Sequence, residues 1–231
     1  MNTKAILFDL GGTLIEYQGL PLNWSSYYPQ AFDHVMASIS IQLNASQIRS
    51  AIAVLKKYNV RLHPREIEYS SQHIFSEATA SWSLDQHTPY EVARSFYSYF
   101  QKRVNAYPDA KRILPILKNR GLRLGILTDL ATGMPDETIK EDAKTLECPV
   151  DCFLTSAEVG FRKPNPNGYM KIIKELAVNT SQCIFVGDEQ KDIIGANNCG
   201  ITSVLIDRNN TQAQFGQTFI LNSLDKILSV L

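Results

Sequence analysis

The sequence predicts a doubly wound α/β fold, a parallel sheet with helices on both faces and a block of helices inserted after the first strand. Three observations lead there. Continuous apolar runs occur at AILFDLGGT (5–13), LRLGILTD (122–129) and CIFVGDEQKD (183–192), as expected for strands buried on both faces. Helical stretches alternate with the later runs, which is the signature of parallel βαβ units. Residues 17–103 show helical periodicity without a strong strand run, a longer insertion than one crossover helix requires.

Taken in order, Lys4–Leu10 reads as the first strand and ends on Asp9 and a glycine pair. The inserted block carries helices such as 48–58 and 90–104, most of the aromatic residues and all four histidines. Next comes a helix over 109–120, apolar at Ile113, Leu114, Ile116 and Leu117 and stopped by Gly121. A strand follows to Thr128, and then a helix over 167–176 with Tyr169, Ile172, Ile173 and Leu176 on one face. The strand opening at Cys183 leads to a short helix over 193–199, closed by Gly200. Further strands are expected at 202–206 and 218–221, and a last helix from Leu224. In such folds connections are right-handed and ligands sit beyond the carboxyl ends of the strands. Asp9, Thr128 and Asp188 all stand at such ends.

Charge and composition narrow the function. The chain has 23 basic and 23 acidic residues, so it has no general attraction to nucleic acid or to an anionic membrane. No apolar run approaches the roughly 18 residues of a membrane span. The N-terminal apolar run is too short for a secretory signal and reads as a buried strand, so a cytoplasmic protein is expected. Four cysteines fit that compartment; the spacing of Cys148 and Cys152 matches no common zinc or redox pattern. Cys183, opening a strand, reads as a buried reduced thiol. No pattern sets the oligomeric state.

Asp9 ends an apolar strand and precedes Gly11, Gly12 and Thr13. Its carboxylate is exposed at a turn where glycine lets backbone groups approach a ligand closely. Carboxylates serve as phosphate-accepting nucleophiles, although a strand-end aspartate can equally stabilise its own turn. Asp188 and Asp192 lie four residues apart where a strand gives way to a helix. Magnesium takes hard oxygen ligands, and carboxylates from adjacent strand ends supply them; Asp192 could also cap the helix. The Thr128 hydroxyl can donate to a phosphoryl oxygen. Lys163, in GFRKPNP, precedes a proline and so lies in a stiff loop. A fixed ammonium there neutralises charge on a nucleophile and a transferring group, whereas a loop lysine without that role is simply solvated. Arg162 beside it is expected to be solvated.

Together, FDLGGTL, ILTD, Arg-Lys-Pro and VGDEQKD followed by GANNCGI resemble the haloacid dehalogenase (HAD) superfamily, with its four motifs in order. YPDAKRILPILKNRGLRLGILTD is also similar to that family's second strand and preceding helix. The resemblance implies a Rossmann-like core over residues 1–16 and 104–231 and a type-1 helical cap over 17–103. It further implies a magnesium-dependent hydrolase acting on a small phosphorylated metabolite through an aspartyl-phosphate. Asp9 would be the nucleophile and a metal ligand, with the Gly11 carbonyl, Asp188 and Asp192 completing the protein's ligands. Thr128 would bind the phosphoryl group, Lys163 would join it to the nucleophile, and Gly12, Thr13 and Asp129 would line the substrate.

One position departs from the pattern. The family's phosphatases carry a second aspartate two residues after the nucleophile, as proton donor and later base; here it is Gly11. General acid–base help is typically worth about 10²–10⁴-fold. His63, His73 or Asp129 could replace it, although Asp129 reads more simply as a residue that caps or hydrogen-bonds its loop. A dehalogenase or phosphonatase reaction, or phosphate binding without turnover, are the alternatives. The acidic GDEQKD run argues against dehalogenation, which needs no metal. Of the aromatics in the insertion, Trp24, Tyr27, Tyr28 and Trp82 among them, most are expected to pack helices together.

Overall fold

The computed structural model describes residues 2–84 and 86–231, which divide into two compact units. One comprises residues up to Glu16, Asn105–Asp129 and Ala143–Leu231; the other comprises Tyr17–Val104 and Leu130–Asp142.

Along the chain, β1 (Ala5–Phe8) runs into the glycine turn and β2 (Ile15–Tyr17) follows. Four helices of the second unit come next: α1 (Tyr28–Ser38), α2 (Ala45–Lys57), α3 (Ser71–Ala78) and α4 (Pro89–Gln101). The short strand β3 (Val104–Ala106) pairs with β2 where the chain leaves and re-enters the first unit. Then come α5 (Pro108–Asn119), β4 (Arg123–Thr128), α6 (Asp136–Asp142), β5 (Cys152–Thr155), α7 (Ser156–Val159) and α8 (Pro166–Glu175). The chain finishes with β6 (Cys183–Gly187), α9 (Gln190–Asn198), β7 (Thr202–Ile206), β8 (Phe219–Leu221) and a 3₁₀ helix over Leu224–Val230.

The sheet has six strands in the order β5-β4-β1-β6-β7-β8, every neighbouring pair parallel. It is therefore the doubly wound α/β sheet expected, with the chain building outward first on one side of β1 and then on the other. The order reverses between β1 and β6, and that switch point is where such sheets open a crevice at their carboxyl ends. Where the apolar run is continuous the strand is buried at every residue, as in β1 and β6. Ala5, Leu7 and Leu127 share a core cluster with Phe185, Tyr169, Ile172 and Leu176, which docks the apolar face of α8 on the sheet. Burying a large apolar side chain contributes roughly 1.5–3 kcal/mol.

Some elements differ from expectation. β5 has no strong apolar run, because it is an edge strand whose first two residues are only partly buried. α9 begins at Gln190 rather than Ile193, because Glu189 and Asp192 form a capping box at its start. The last helix begins at Leu224 as expected and is 3₁₀.

The second unit is helical and closes on aromatic rings. Phe96 lies 4.9 Å from Phe32, 5.5 Å from Tyr28 and 5.7 Å from Phe75, centroid to centroid. Trp24 stacks on Phe100 at 4.6 Å, and Trp82 meets Phe32 edge-on. Tyr27 lies beneath the Arg103 guanidinium. Although Leu130–Asp142 follows β4 in sequence, it belongs to this unit, held by Tyr97 Oη donating to the Thr132 carbonyl and by Gln101 Nε2 donating to Asp142 at 2.8 Å.

Candidate active site

Four of the sequence-derived residues meet at the carboxyl ends of β1, β4 and β6. Asp9 directly follows β1, and its backbone N–H donates to the Val186 carbonyl at 2.8 Å. That bond carries the parallel ladder one residue past the strand and fixes Asp9 beside the β6 exit. Lys163 reaches in from the loop after α7: its Nζ donates to Asp9 Oδ1 at 2.5 Å and to the Leu127 carbonyl at 3.3 Å. The same ammonium lies 2.6 Å from Asp192 Oδ1, as an ion pair without hydrogen-bond alignment. Its side chain is 2% exposed. Arg162 does not project into solvent as expected: it is buried at 4% exposure, and its positive charge acts on Asp129. An interior acidic neighbour outweighs the ordinary preference of a loop arginine for water.

Asp192 combines two roles. Its Oδ2 accepts the Glu189 N–H at 3.0 Å and starts α9, while Oδ1 faces Lys163. Asp188 is held differently. The Thr13 hydroxyl donates to its Oδ1 at 3.2 Å, and among the described residues it forms no ion pair. Two glycines allow this crowding. A Cβ on Gly12, whose φ is +82°, would stand 2.2 Å from Asp188 Oδ2, and one on Gly187 would stand 2.4 Å from the Asp192 side chain. Gly11 is the opposite case, since a Cβ there meets nothing within 4 Å.

Electrostatics follow from this crowding. Burial pushes the Asp9 carboxyl up from 3.8 to about 6, with Asp192 adding to the rise and Lys163 opposing it. Asp188 is pushed well above the carboxylate range by burial and then by the charges of Asp9 and Asp192. Burial works against the Lys163 ammonium, but Asp192, Asp9 and Asp129 outweigh it and keep it protonated. Ligand oxygens of Asp9, Asp188 and Asp192 lie within 4.8 Å of one another. Three hard oxygen donors that repel one another, one of them with no cation of its own, suit a divalent ion such as magnesium.

The remaining expected residues fall around this centre. Thr128 ends β4 at 3% exposure, and its hydroxyl forms no hydrogen bond with a described residue. Asp129 accepts the Lys163 backbone N–H at 3.0 Å through Oδ1, and its Oδ2 lies 3.0 Å from Lys191 Nζ. Burial opposes its charge, yet Lys191, Arg162 and Lys163 together hold the carboxyl well below its usual range. Both oxygens are thus committed to the protein. His73 and His63 belong to the second unit, where His73 Nε2 is 3.0 Å from Tyr58 Oη.

Two groups escaped sequence reasoning. Lys191 lies inside the GDEQKD run and bridges Asp129 and Glu189 at 3.0 and 2.9 Å; its place between two aspartates was the available signal. Tyr169, fully buried, donates to the Asp192 carbonyl at 3.2 Å, and nothing in its helical periodicity distinguishes it from a core residue.

Comparison with known proteins identifies the family. A family model for haloacid dehalogenase-like hydrolases matches residues 3–200. The chain is 33% identical over 138 residues to phosphatase MT3486 of Mycobacterium tuberculosis, covering 60% of this chain and 61% of that protein. It is 27% identical over 218 residues to glyceraldehyde 3-phosphate phosphatase of Methanopyrus kandleri, covering 90% of this chain and 86% of the relative. In fold it is similar to a 2-haloacid dehalogenase of Pseudomonas syringae, with a TM-score of 0.69 at 17% identity over 99% of this chain and 97% of the other. The match along most of its length shows that the chain belongs to the haloacid dehalogenase-like hydrolase family and is a hydrolase of the phosphatase-like kind.

Proposed function

We propose that the chain is a magnesium-dependent phosphatase that acts on a small phosphorylated metabolite through an aspartyl-phosphate on Asp9. The observation that carries this reading is the cluster of Asp9, Asp188 and Asp192, with Lys163 paired to Asp9 and Asp192. Asp9, Asp188, Asp192 and the Gly11 carbonyl would hold the ion, which supplies positive charge for the phosphoryl oxygens. Asp9 attacks phosphorus; the Thr128 hydroxyl and Lys163 donate to the phosphoryl oxygens as charge builds there. Gly12 and Thr13 shape the turn against the substrate, and Asp129 keeps the Lys163 loop in place. We read the helical unit as a cap that selects the substrate, and the four free thiols as suited to the reducing cytoplasm.

Gly11 sets the leaving-group demand. In the first unit Asp129 and Lys191 hold each other, so departure without a proton favours substrates whose leaving group is stable as an anion. The test is hydrolysis of para-nitrophenyl phosphate with magnesium and with chelator, beside halide release from 2-chloropropionate. Magnesium-dependent phosphate release without halide is the expected result. Halide release in chelator, or no turnover by folded protein, would refute the phosphatase reading.

A further inference from the structure

The glycine turn that follows Asp9 is held by Arg208. Arg208, two residues past β7, donates Nη2 to the Thr13 carbonyl at 2.7 Å and Nε to the Gly12 carbonyl at 3.4 Å. The same guanidinium forks onto Asp109, Nη1 to Oδ2 at 2.9 Å and Nη2 to Oδ1 at 3.1 Å. It lies over the Tyr107 ring with its central carbon 3.7 Å from the centroid. Asp109 is itself fixed, accepting the Ser223 hydroxyl at 3.0 Å and the Leu224 N–H at 2.8 Å. Two segments, Gly12–Thr13 and Tyr107–Asp109, therefore meet on one planar cation, and Ser223 and Leu224 anchor Asp109 in turn.

The turn also reaches one carboxylate of the aspartate triad, Asp188. The Thr13 hydroxyl donates to Asp188, and the Gly12 Cα approaches that carboxylate so closely that no side chain fits. Thr13 is fully buried. Its carbonyl points to Arg208 and its hydroxyl to Asp188, so rotation of this residue to satisfy one contact moves the other. Asp188 is also the carboxylate with no ion pair of its own among the described residues, and Thr13 is the group that orients it.

We propose that Arg208 is a positioning residue for the cation site: it fixes the Gly12–Thr13 peptide units so that Thr13 presents the Asp188 carboxylate toward Asp9 and Asp192. The inference rests on the metal-dependent reading above. An arginine suits the task because its fork serves two carbonyls and a bidentate carboxylate in one plane; a lysine is a single point charge and reaches fewer of them. Groups that orient metal ligands typically influence affinity by about 10–100-fold.

The test is calorimetric titration of magnesium into wild type, Arg208→Lys, Arg208→Gln and Thr13→Val, with thermal unfolding of each metal-free protein. Arg208→Gln is expected to weaken magnesium binding about 10-fold or more, and Arg208→Lys to recover part of that. Thr13→Val keeps the shape, removes the hydroxyl link and is expected to weaken binding similarly. Its combination with Arg208→Lys is expected to cost less than the two losses added, because both act through one contact. In aryl phosphate hydrolysis by the two Arg208 variants, the half-saturating magnesium concentration rises while kcat at saturating magnesium changes little. Wild-type magnesium affinity in Arg208→Lys and Arg208→Gln, with only a lower Tm, assigns Arg208 to stability alone and overturns the inference. Should Arg208→Gln fail to fold, unchanged affinity in Arg208→Lys and Thr13→Val overturns it equally. If wild type takes up no magnesium, the metal-dependent reading fails and this inference fails with it.

Discussion

The active-site end of the first unit and the interior of the second bury side chains on opposite principles. Around Lys163 the buried groups are ionic: Lys163 offsets the charges of Asp9 and Asp192, and they keep it protonated. Around Phe96 they are rings in edge and tilted contact, with tyrosine hydroxyls tied off at the margin. Removing a member leaves an unpaired charge in the first case and a cavity in the second. The charged cluster thus gives up folding stability for reactivity, and the aromatic cluster gives a shape that holds without chemistry of its own.

The largest expected effect lies in the charged cluster. Lys163→Met removes the only cation among the described residues that touches both Asp9 and Asp192. Loss of a positioned electrostatic stabiliser lowers kcat by about 10²–10³-fold. The metal-free variant also loses about 3–5 kcal/mol, because two buried carboxylates remain without their partner. Denaturant unfolding together with initial rates measures both, and near-normal kinetics would return Lys163 to an ordinary structural lysine. In the aromatic cluster, Phe96→Ala is expected to cost about 3–5 kcal/mol while magnesium affinity stays at the wild-type value. A large change in that affinity would erase the contrast between the regions.

The neighbouring glycines sharpen the contrast within one turn. Gly12→Ala drives a methyl into Asp188 and strains a positive φ, so magnesium binding and turnover both fall. Gly11→Asp meets open space and is expected to fold as wild type does. By offering a proton to the leaving group, it should raise turnover of alkyl phosphates more than of aryl phosphates, by up to about 10²-fold. Equal gains for both classes, or none, would show that proton transfer is not what the site lacks.

The smallest effect is one of pH. Burial keeps Asp9 protonated in the folded, metal-free chain up to about pH 6, against 3.8 unfolded. Between those values the folded state holds a proton that the unfolded state has released, so this group's contribution to stability declines as pH rises. Magnesium binds the ionised carboxylate. The rise in Tm on adding magnesium should therefore grow as the pH climbs from about 4 to about 6. A magnesium increment independent of pH would contradict this.

The sequence makes the contrast only half visible. Asp9, Thr128 and Asp188 are legible because each ends a continuous apolar run, and a strand buried on both faces leaves few other readings for the polar residue at its tip. β5 is hidden because an edge strand with only its last two residues buried has no such run. Arg208 and Asp109 are invisible for another reason: they meet across 99 positions, and Arg208 meets Thr13 across 195. No local pattern encodes a contact of that span. Arg162 misleads because loop position speaks for solvent until the acidic neighbour is in view. The aromatic insertion announces helices but not their arrangement, since rings pack in many ways at similar energy.

The most direct test of the account is to mix wild type and Asp9→Asn with magnesium and para-nitrophenyl phosphate, quench in acid within a turnover, and map phosphorylated peptides by mass spectrometry. The expected result is phosphate on the Asp9 peptide of wild type, and neither phosphopeptide nor turnover in a folded Asp9→Asn protein. Full activity in the variant, or phosphate carried on another residue, would contradict Asp9 as the nucleophile.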